Sequence, residues 1–155
     1  MRHAKSDWQT GLDDHARPLN KRGRRDAPRM AHALAERDWI PDLVVSSNSQ
    51  RTVETWERMS ARFDRPPALK FTPTLYLAGL GALQEVLLAT PDSVETALAL
   101  GHNPGWERAA SVLAGRDIRM TTANAVLLEL RGKSWAEAVS QPAKRLHAVL
   151  RPKEL

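Results

Sequence analysis

Leu43-Val44-Val45-Ser46-Ser47-Asn48-Ser49-Gln50-Arg51-Thr52 decides the architecture of this chain. Its first residues form a short apolar run without alternation, as a strand buried on both faces does. Its last residues lead into Val53, Trp56 and Met59, which recur at helical spacing across 50–62. The same strand-then-helix order returns at 96–100, where Gly101-His102-Asn103-Pro104-Gly105 leads into a helix over 106–113. Further strands are expected over 70–75, 125–130 and 145–150. Further helices are expected over 23–37 and 82–89, and Pro28 suggests a kink or a late start in the first of these. Alternating strands and helices indicate an α/β protein with a largely parallel sheet, folded as one domain over 1–155. In such sheets ligands lie beyond the carboxyl ends of the strands.

The bulk numbers narrow the class. The chain has 155 residues, 42% hydrophobic and 26% charged, as in an ordinary globular protein. It has no cysteine, which excludes disulfides and thiolate metal sites and fits a reducing compartment. No apolar run is long enough to span a bilayer, so no membrane partner is expected. Arg2, His3, Lys5 and Asp7 break any secretory signal, which makes the cytoplasm the default location. The net charge is +5, which favours anionic partners. The basic cluster Lys21, Arg22, Arg24, Arg25 and Arg29 lacks the interleaved aromatics of a nucleic-acid surface, so nucleic acid is not expected as a partner.

Three segments carry candidate chemistry. Arg2-His3 offers an imidazole that can attack phosphorus beside a guanidinium that can grip oxygens in a fork. Arg51 lies on the first turn after a strand, where backbone N–H groups favour an anion. On that segment alone a solvated Arg51 is the simpler reading, and Ser47 and Ser49 could be plain helix caps. His102, between Gly101 and Gly105 at a strand-to-helix turn, is expected to donate a hydrogen bond to a phosphoryl oxygen, with both glycines letting backbone approach a ligand. His15 is expected in solvent, and His32 and His147 receive no role. No cluster of His, Asp and Glu has metal-ligand spacing, so neither a metal nor another cofactor is expected. Among the tryptophans, Trp8 alone is placed to border the pocket.

Taken together, these segments resemble the histidine phosphatase superfamily, and more narrowly its SixA-type phosphohistidine phosphatases. The resemblance rests on Arg2-His3-Ala4-Lys5-Ser6-Asp7-Trp8, on Asp14-His15-Ala16-Arg17-Pro18-Leu19 and on Gly23-Arg24-Arg25-Asp26-Ala27-Pro28. It continues through 41–47 with Arg51-Thr52, Leu75-Tyr76, Gly101 to Gly105, Thr122-Ala123-Asn124-Ala125 and the closing Arg151 to Leu155.

It implies a three-layer α/β/α fold with a mostly parallel central sheet, of the phosphoglycerate mutase-like kind. It also implies a phosphoenzyme mechanism without a metal or organic cofactor. His3 would take the phosphoryl group, and Arg2, Arg51 and His102 would line the phosphate pocket. The leading substrate is a phosphohistidine side chain on a partner protein. The alternatives are a phosphatase for small phosphomonoesters, and an inactive phosphate- or phosphoprotein-binding module.

Two departures stand out. The family places a short hydrophobic strand before Arg-His, and here that strand is missing. Its loss would orphan ladder groups of two neighbours at roughly 1–3 kcal/mol each. The expectation is therefore a true start upstream of Met1, the alternative being a natural short form. The second departure is the general acid: Leu77 follows Tyr76, and Asp7, Asp14 and Glu85 remain open candidates.

Overall fold

The computed structural model describes residues 1–155. Its helices are α1 (Lys21–Ala35), α2 (Gln50–Ser60), α3 (Leu80–Leu88), α4 (Gly105–Ala114) and α5 (Trp135–Ala138). Its strands are β1 (Leu43–Ser47), β2 (Ala68–Thr72), β3 (Ala97–Leu100), β4 (Ala125–Glu129) and β5 (Arg145–Leu150). β1 pairs in parallel with both β2 and β3, giving the order β2-β1-β3. β4 and β5 form a separate antiparallel pair, irregular at Leu127/Leu128. One apolar cluster holds Met30, Leu34, Trp56 and Met59 of α1 and α2. The other holds Leu83, Leu87, Trp106 and Ala110 of α3 and α4. The strands lie between them, giving three layers, α/β/α.

The first three residues stitch the two sheets together. Arg2 forms a parallel bridge with Gly101, just past β3. His3 N–H donates to the Gly101 carbonyl at 3.1 Å, and Gly101 N–H donates to the Met1 carbonyl at 3.2 Å. On the other side Arg2 N–H donates to Asn124 at 3.0 Å, and Ala123 N–H donates to His3 at 2.9 Å. Met1–His3 thus run as an extended segment between β3 and the start of β4. They suffice to place His3 beside the carboxyl end of β3.

Local chemistry accounts for where elements start and stop. The Asn20 side chain caps α1 by accepting the Gly23 N–H at 3.0 Å, so the helix begins at Lys21 and not at Gly23. It then runs through Pro28, which costs one hydrogen bond but ends nothing. Gly23 itself lies against the Lys5 backbone, where an added Cβ would come within 2.2 Å of the carbonyl oxygen. The strand expected over 70–75 stops at Thr72. Pro73 has no N–H for a ladder, and a 3-10 turn over Pro73–Leu75 follows, capped by the Thr72 hydroxyl. α5 is a single turn that the sequence reading did not anticipate.

Candidate active site

The four predicted site residues converge. His3 closes the N-terminal strand stub, and His102 follows β3. Arg51 opens α2 just beyond β1. These residues and Arg2 line one cavity of about 260 Å3, together with Lys5, Ser6, Trp8, Asp14, Arg17 and Asn103. The His3 and His102 rings lie 5.1 Å apart, centre to centre.

His3 is held by its own turn. Its Nδ1 lies 2.6 Å from the Ala4 carbonyl oxygen. A carbonyl only accepts, so Nδ1 carries the hydrogen and Nε2 keeps its lone pair. The next residue is anchored as well. Ala4 N–H donates to the Thr55 hydroxyl at 3.0 Å, and that hydroxyl donates to the Arg51 carbonyl at 2.6 Å. Thr55 therefore ties the His3 turn to the first turn of α2.

His102 is 1% exposed and bonded through both nitrogens. Arg51 Nη2 donates to its Nδ1 at 3.2 Å, which makes Nδ1 the acceptor. Its Nε2 then carries the hydrogen and donates to the Ser47 hydroxyl at 2.9 Å. Ser47 is thus a partner of the imidazole and not a helix cap. Ser49, the N-cap residue of α2, meets the Thr52 hydroxyl at 3.0 Å and caps nothing with its side chain. The glycines beside His102 serve packing. A Cβ at Gly101 would lie 2.5 Å from the Trp106 ring, and one at Gly105 would lie 1.8 Å from the Ala78 oxygen. The expected approach of these glycines to a ligand is therefore replaced by approach to a ring and to a neighbouring loop.

Burial sets the charge state of both imidazoles. It pushes the His3 pKa down to about 3, against the pull of the Ala4 carbonyl and with help from the charges of His102, Arg51 and Arg2. Burial, then the Arg51 charge, lowers His102 to about 3 as well. Both rings are neutral at pH 7, so the lone pair on His3 is free to react.

The arginines form a positively charged wall of the cavity. Arg51 is 2% exposed, not solvated. It donates to the Asp14 backbone oxygen at 2.5 Å and to the Asp14 carboxylate at 2.9 Å. Arg2 Nη1 donates to the Met120 carbonyl at 2.9 Å. Arg17 was not singled out from the sequence, yet it is buried at the cavity. It donates to Ser6 at 3.2 Å and to Asp14 at 2.5 Å, with its guanidinium 3.6 Å from the Trp8 ring centre. The Nε atoms of Arg2, Arg17 and Arg51 are buried without a partner. Three guanidiniums lining one cavity suit an anionic ligand.

Asp14 is the acidic member of this set. It accepts from Tyr76 Oη at 2.5 Å as well as from Arg17 and Arg51. Burial alone would raise its pKa, but those three hydrogen bonds and the Arg51 charge outweigh burial and hold the carboxyl well below the usual range. The same contact raises the Tyr76 phenol. His15 lies at the rim, its Nε2 2.9 Å from the Asn48 side-chain oxygen and its ring edge-on to Tyr76. Of the other candidates, Asp7 binds the Gln9 N–H, and Glu85 lies on α3. The pairing of Arg17 with Asp14 had one sequence signal, an Asp three residues ahead of an Arg-Pro, which is too common to read alone.

This geometry has counterparts among known proteins. The Histidine phosphatase superfamily (branch 1) matches residues 1–85. An uncharacterized chloroplastic protein of Arabidopsis thaliana is 41% identical over 149 residues, covering 89% of this chain and 68% of its own length. SixA from Agrobacterium tumefaciens superposes with a TM-score of 0.82 at 26% identity, over 98% of this chain and 95% of that one. SixA from Nakamurella multipartitia does so with a TM-score of 0.80 at 26% identity, over 98% and 93%. The chain belongs to the histidine phosphatase superfamily and is a phosphatase of its SixA type.

Proposed function

We propose that this phosphatase hydrolyses a phosphohistidine side chain on a partner protein, through a covalent phosphohistidine on His3 and without a metal or organic cofactor. The observation that carries the reading is the fixed tautomer of His3. Its Nδ1–H is tied to Ala4, and its Nε2 lone pair is left at a cavity walled by Arg2, Arg17 and Arg51. Nε2 attacks phosphorus. A P–N bond forms to His3 while the P–N bond to the substrate imidazole breaks, its electron pair passing to that imidazole. Water then attacks phosphorus, the bond to His3 breaks, and inorganic phosphate leaves. The arginines grip the phosphoryl oxygens throughout. An arriving phosphoryl dianion raises the pKa of His102, so that its Nδ1 can take a proton and turn from acceptor to donor.

Two features favour a protein-borne phosphohistidine. The only carboxylate bonded to the pocket arginines, Asp14, is held as an anion and has no proton to give a leaving alkoxide. A protonated imidazole leaves without such an acid. The mouth carries exposed apolar side chains, Trp8 at 70% and Leu77 at 56% exposure, which suit contact with a protein surface. The SixA proteins it resembles are themselves named phosphohistidine phosphatases.

The test is phosphate release from a phosphohistidine-carrying protein and from a phosphomonoester, with and without EDTA. The expected outcome is EDTA-insensitive turnover of the first substrate, with an acid-labile, base-stable phosphoenzyme that His3→Ala cannot form. Turnover of the monoester alone would overturn the substrate assignment. A His3→Ala protein that still turns over would overturn the nucleophile.

A further inference from the structure

The start of α1 breaks a local rule of helix chemistry. Lys21, Arg22 and Arg24 fill its first turn and Arg25 follows, all four exposed, with no acid in that turn. The N-terminus of a helix carries partial positive charge, so cations there work against the helix. Lys21 also repels Arg24 and Arg25, three and four residues on. Asp26 is the only acid on α1. It lies 3.0 Å from Arg25 and 3.9 Å from Arg22, which leaves Lys21 and Arg24 outside any ion pair.

This charge stands at the mouth of the polar cavity. Arg22 Nη2 donates to the Thr122 hydroxyl at 3.2 Å, and Thr122 lines that cavity. Lys5 lines it too, and its backbone holds the helix start. Its carbonyl accepts the Asn20 N–H at 2.9 Å and lies against Gly23. The loop that brings Asp14 to the same cavity has the opposite character. It carries Asp7, Asp13 and Asp14 and no Lys or Arg over 6–16. The mouth is therefore basic towards α1 and acidic towards that loop. Two signs of charge orient an approaching partner as well as drawing it in. The phosphoryl chemistry uses none of the α1 cations, so it does not account for their placement.

We propose that the start of α1 is a docking surface for the protein that bears the phosphohistidine, and that this protein presents an acidic face beside the modified histidine. The inference rests on the substrate reading above and adds the partner's charge to it. A protein is favoured over nucleic acid on two counts. Exposed Trp8 and Leu77 share the mouth, and α1 has no Trp, Tyr or Phe on which a base could stack.

The probes are an acidic and a basic histidine-containing protein, each phosphorylated on histidine with phosphoramidate, and phosphoramidate itself as a small P–N substrate. The enzyme forms are the 155-residue chain, Lys21→Glu with Arg24→Glu, and Arg58→Glu with Arg62→Glu. The last pair changes net charge equally, near the end of α2 remote from Arg51. At low salt the unaltered chain is expected to favour the acidic probe at least tenfold in kcat/KM, an advantage that shrinks as salt rises. The α1 variant should lose that advantage through KM, keep kcat, and change less than threefold on phosphoramidate. Its thermal midpoint should not fall, because the reversal suits the helix dipole. Three results overturn the docking surface and leave the substrate reading in place: equal losses on the acidic probe and on phosphoramidate, an equal loss in the α2 variant, or no preference for the acidic probe. Turnover of phosphoramidate with neither phosphoprotein touched overturns the substrate reading and the docking surface with it. An oligonucleotide retained by the unaltered chain but not by the α1 variant, with acidic-probe turnover the same in both, gives the surface to nucleic acid.

Discussion

The cavity around His3 measures about 260 Å3 and is lined by charged and hydrogen-bonding side chains, whereas that between β3 and β4 measures about 620 Å3 and is lined mostly by apolar ones. They meet at Met1–His3. The smaller one is over-determined. The His3 turn is held by its own backbone, by Thr55 and by Gly101, and His102 is held by Ser47 and Arg51. The larger one is lined by β3, β4 and apolar side chains of both helical layers, with Met1 among its lining residues. The contrast teaches that the site is assembled from strand ends, a helix start and the loop around Asp14. The backbone of Met1–His3 joins it to both sheets, through Ala99 and Gly101 on one side and Ala123 and Asn124 on the other.

The largest expected effect strikes the smaller cavity. Arg51→Lys keeps the charge but loses the fork, the bond to His102 and part of the grip on Asp14. It should lower kcat/KM by about 10²–10³-fold, with the thermal midpoint little changed. A drop below tenfold would mean that the buried guanidinium is structural, and the two cavities would then differ less in kind than their linings suggest.

Much of this was legible because strands and ligands obey local rules. The run 43–47 is apolar or small because β1 is buried between β2 and β3, and Arg51 follows it because a helix start is where an anion can be met. Arg2, His3 and His102 were read from turn chemistry at strand ends. What escaped was set by distant contacts. Arg17 was not picked out, and Asp14, one of three candidate acids, could not be placed, because only the fold brings Asp14 onto Arg17, Arg51 and Tyr76. The extent of α1 was misplaced because Asn20 capped it earlier than Gly23 suggested. The role of Gly101 and Gly105 was misassigned because the turn folds Trp106 back onto Gly101 and because Ala78, distant in sequence, packs on Gly105. The way the first three residues bridge both sheets was not legible, because their partners Ala99, Gly101, Ala123 and Asn124 are distant in sequence.

The next effect concerns the larger cavity. The buried Met1 amine protonates only near pH 5, against 8.0 for a free one. Between these values the unfolded chain holds more protons than the folded one, so stability rises with pH through that window and the penalty is gone above pH 8. Both buried histidines add a slope of the same sign, mainly between about 3 and 6.5. From pH 6.5 to 8 the amine supplies most of the slope, the histidines only its lower end, and stability should rise by about 2 kcal/mol. Nα-acetylation should flatten that rise, as read by urea denaturation at several pH values. A rise that survives acetylation would mean that the amine is solvated and the larger cavity is open at Met1.

The smallest expected effect concerns the loop that closes the polar cavity. Asp14 takes the Arg17 and Arg51 donors that a phosphoryl group would use, so it competes with the substrate for them. Asp14→Asn keeps the shape and removes the charge. Because the carboxylate is partly exposed, its repulsion of an incoming anion is screened, and the gain should be modest: the inhibition constant for inorganic phosphate should fall by about 3–10-fold. Turnover of a phosphohistidine substrate should change little, since a carboxyl held below its usual range carries no proton at neutral pH. If Asp14 were instead the proton donor, the same variant would lose about 10²–10⁴-fold in kcat on a phosphomonoester without tightening phosphate. The two outcomes have opposite signs on binding, so one substitution separates a carboxylate that guards the arginines from one that serves the leaving group.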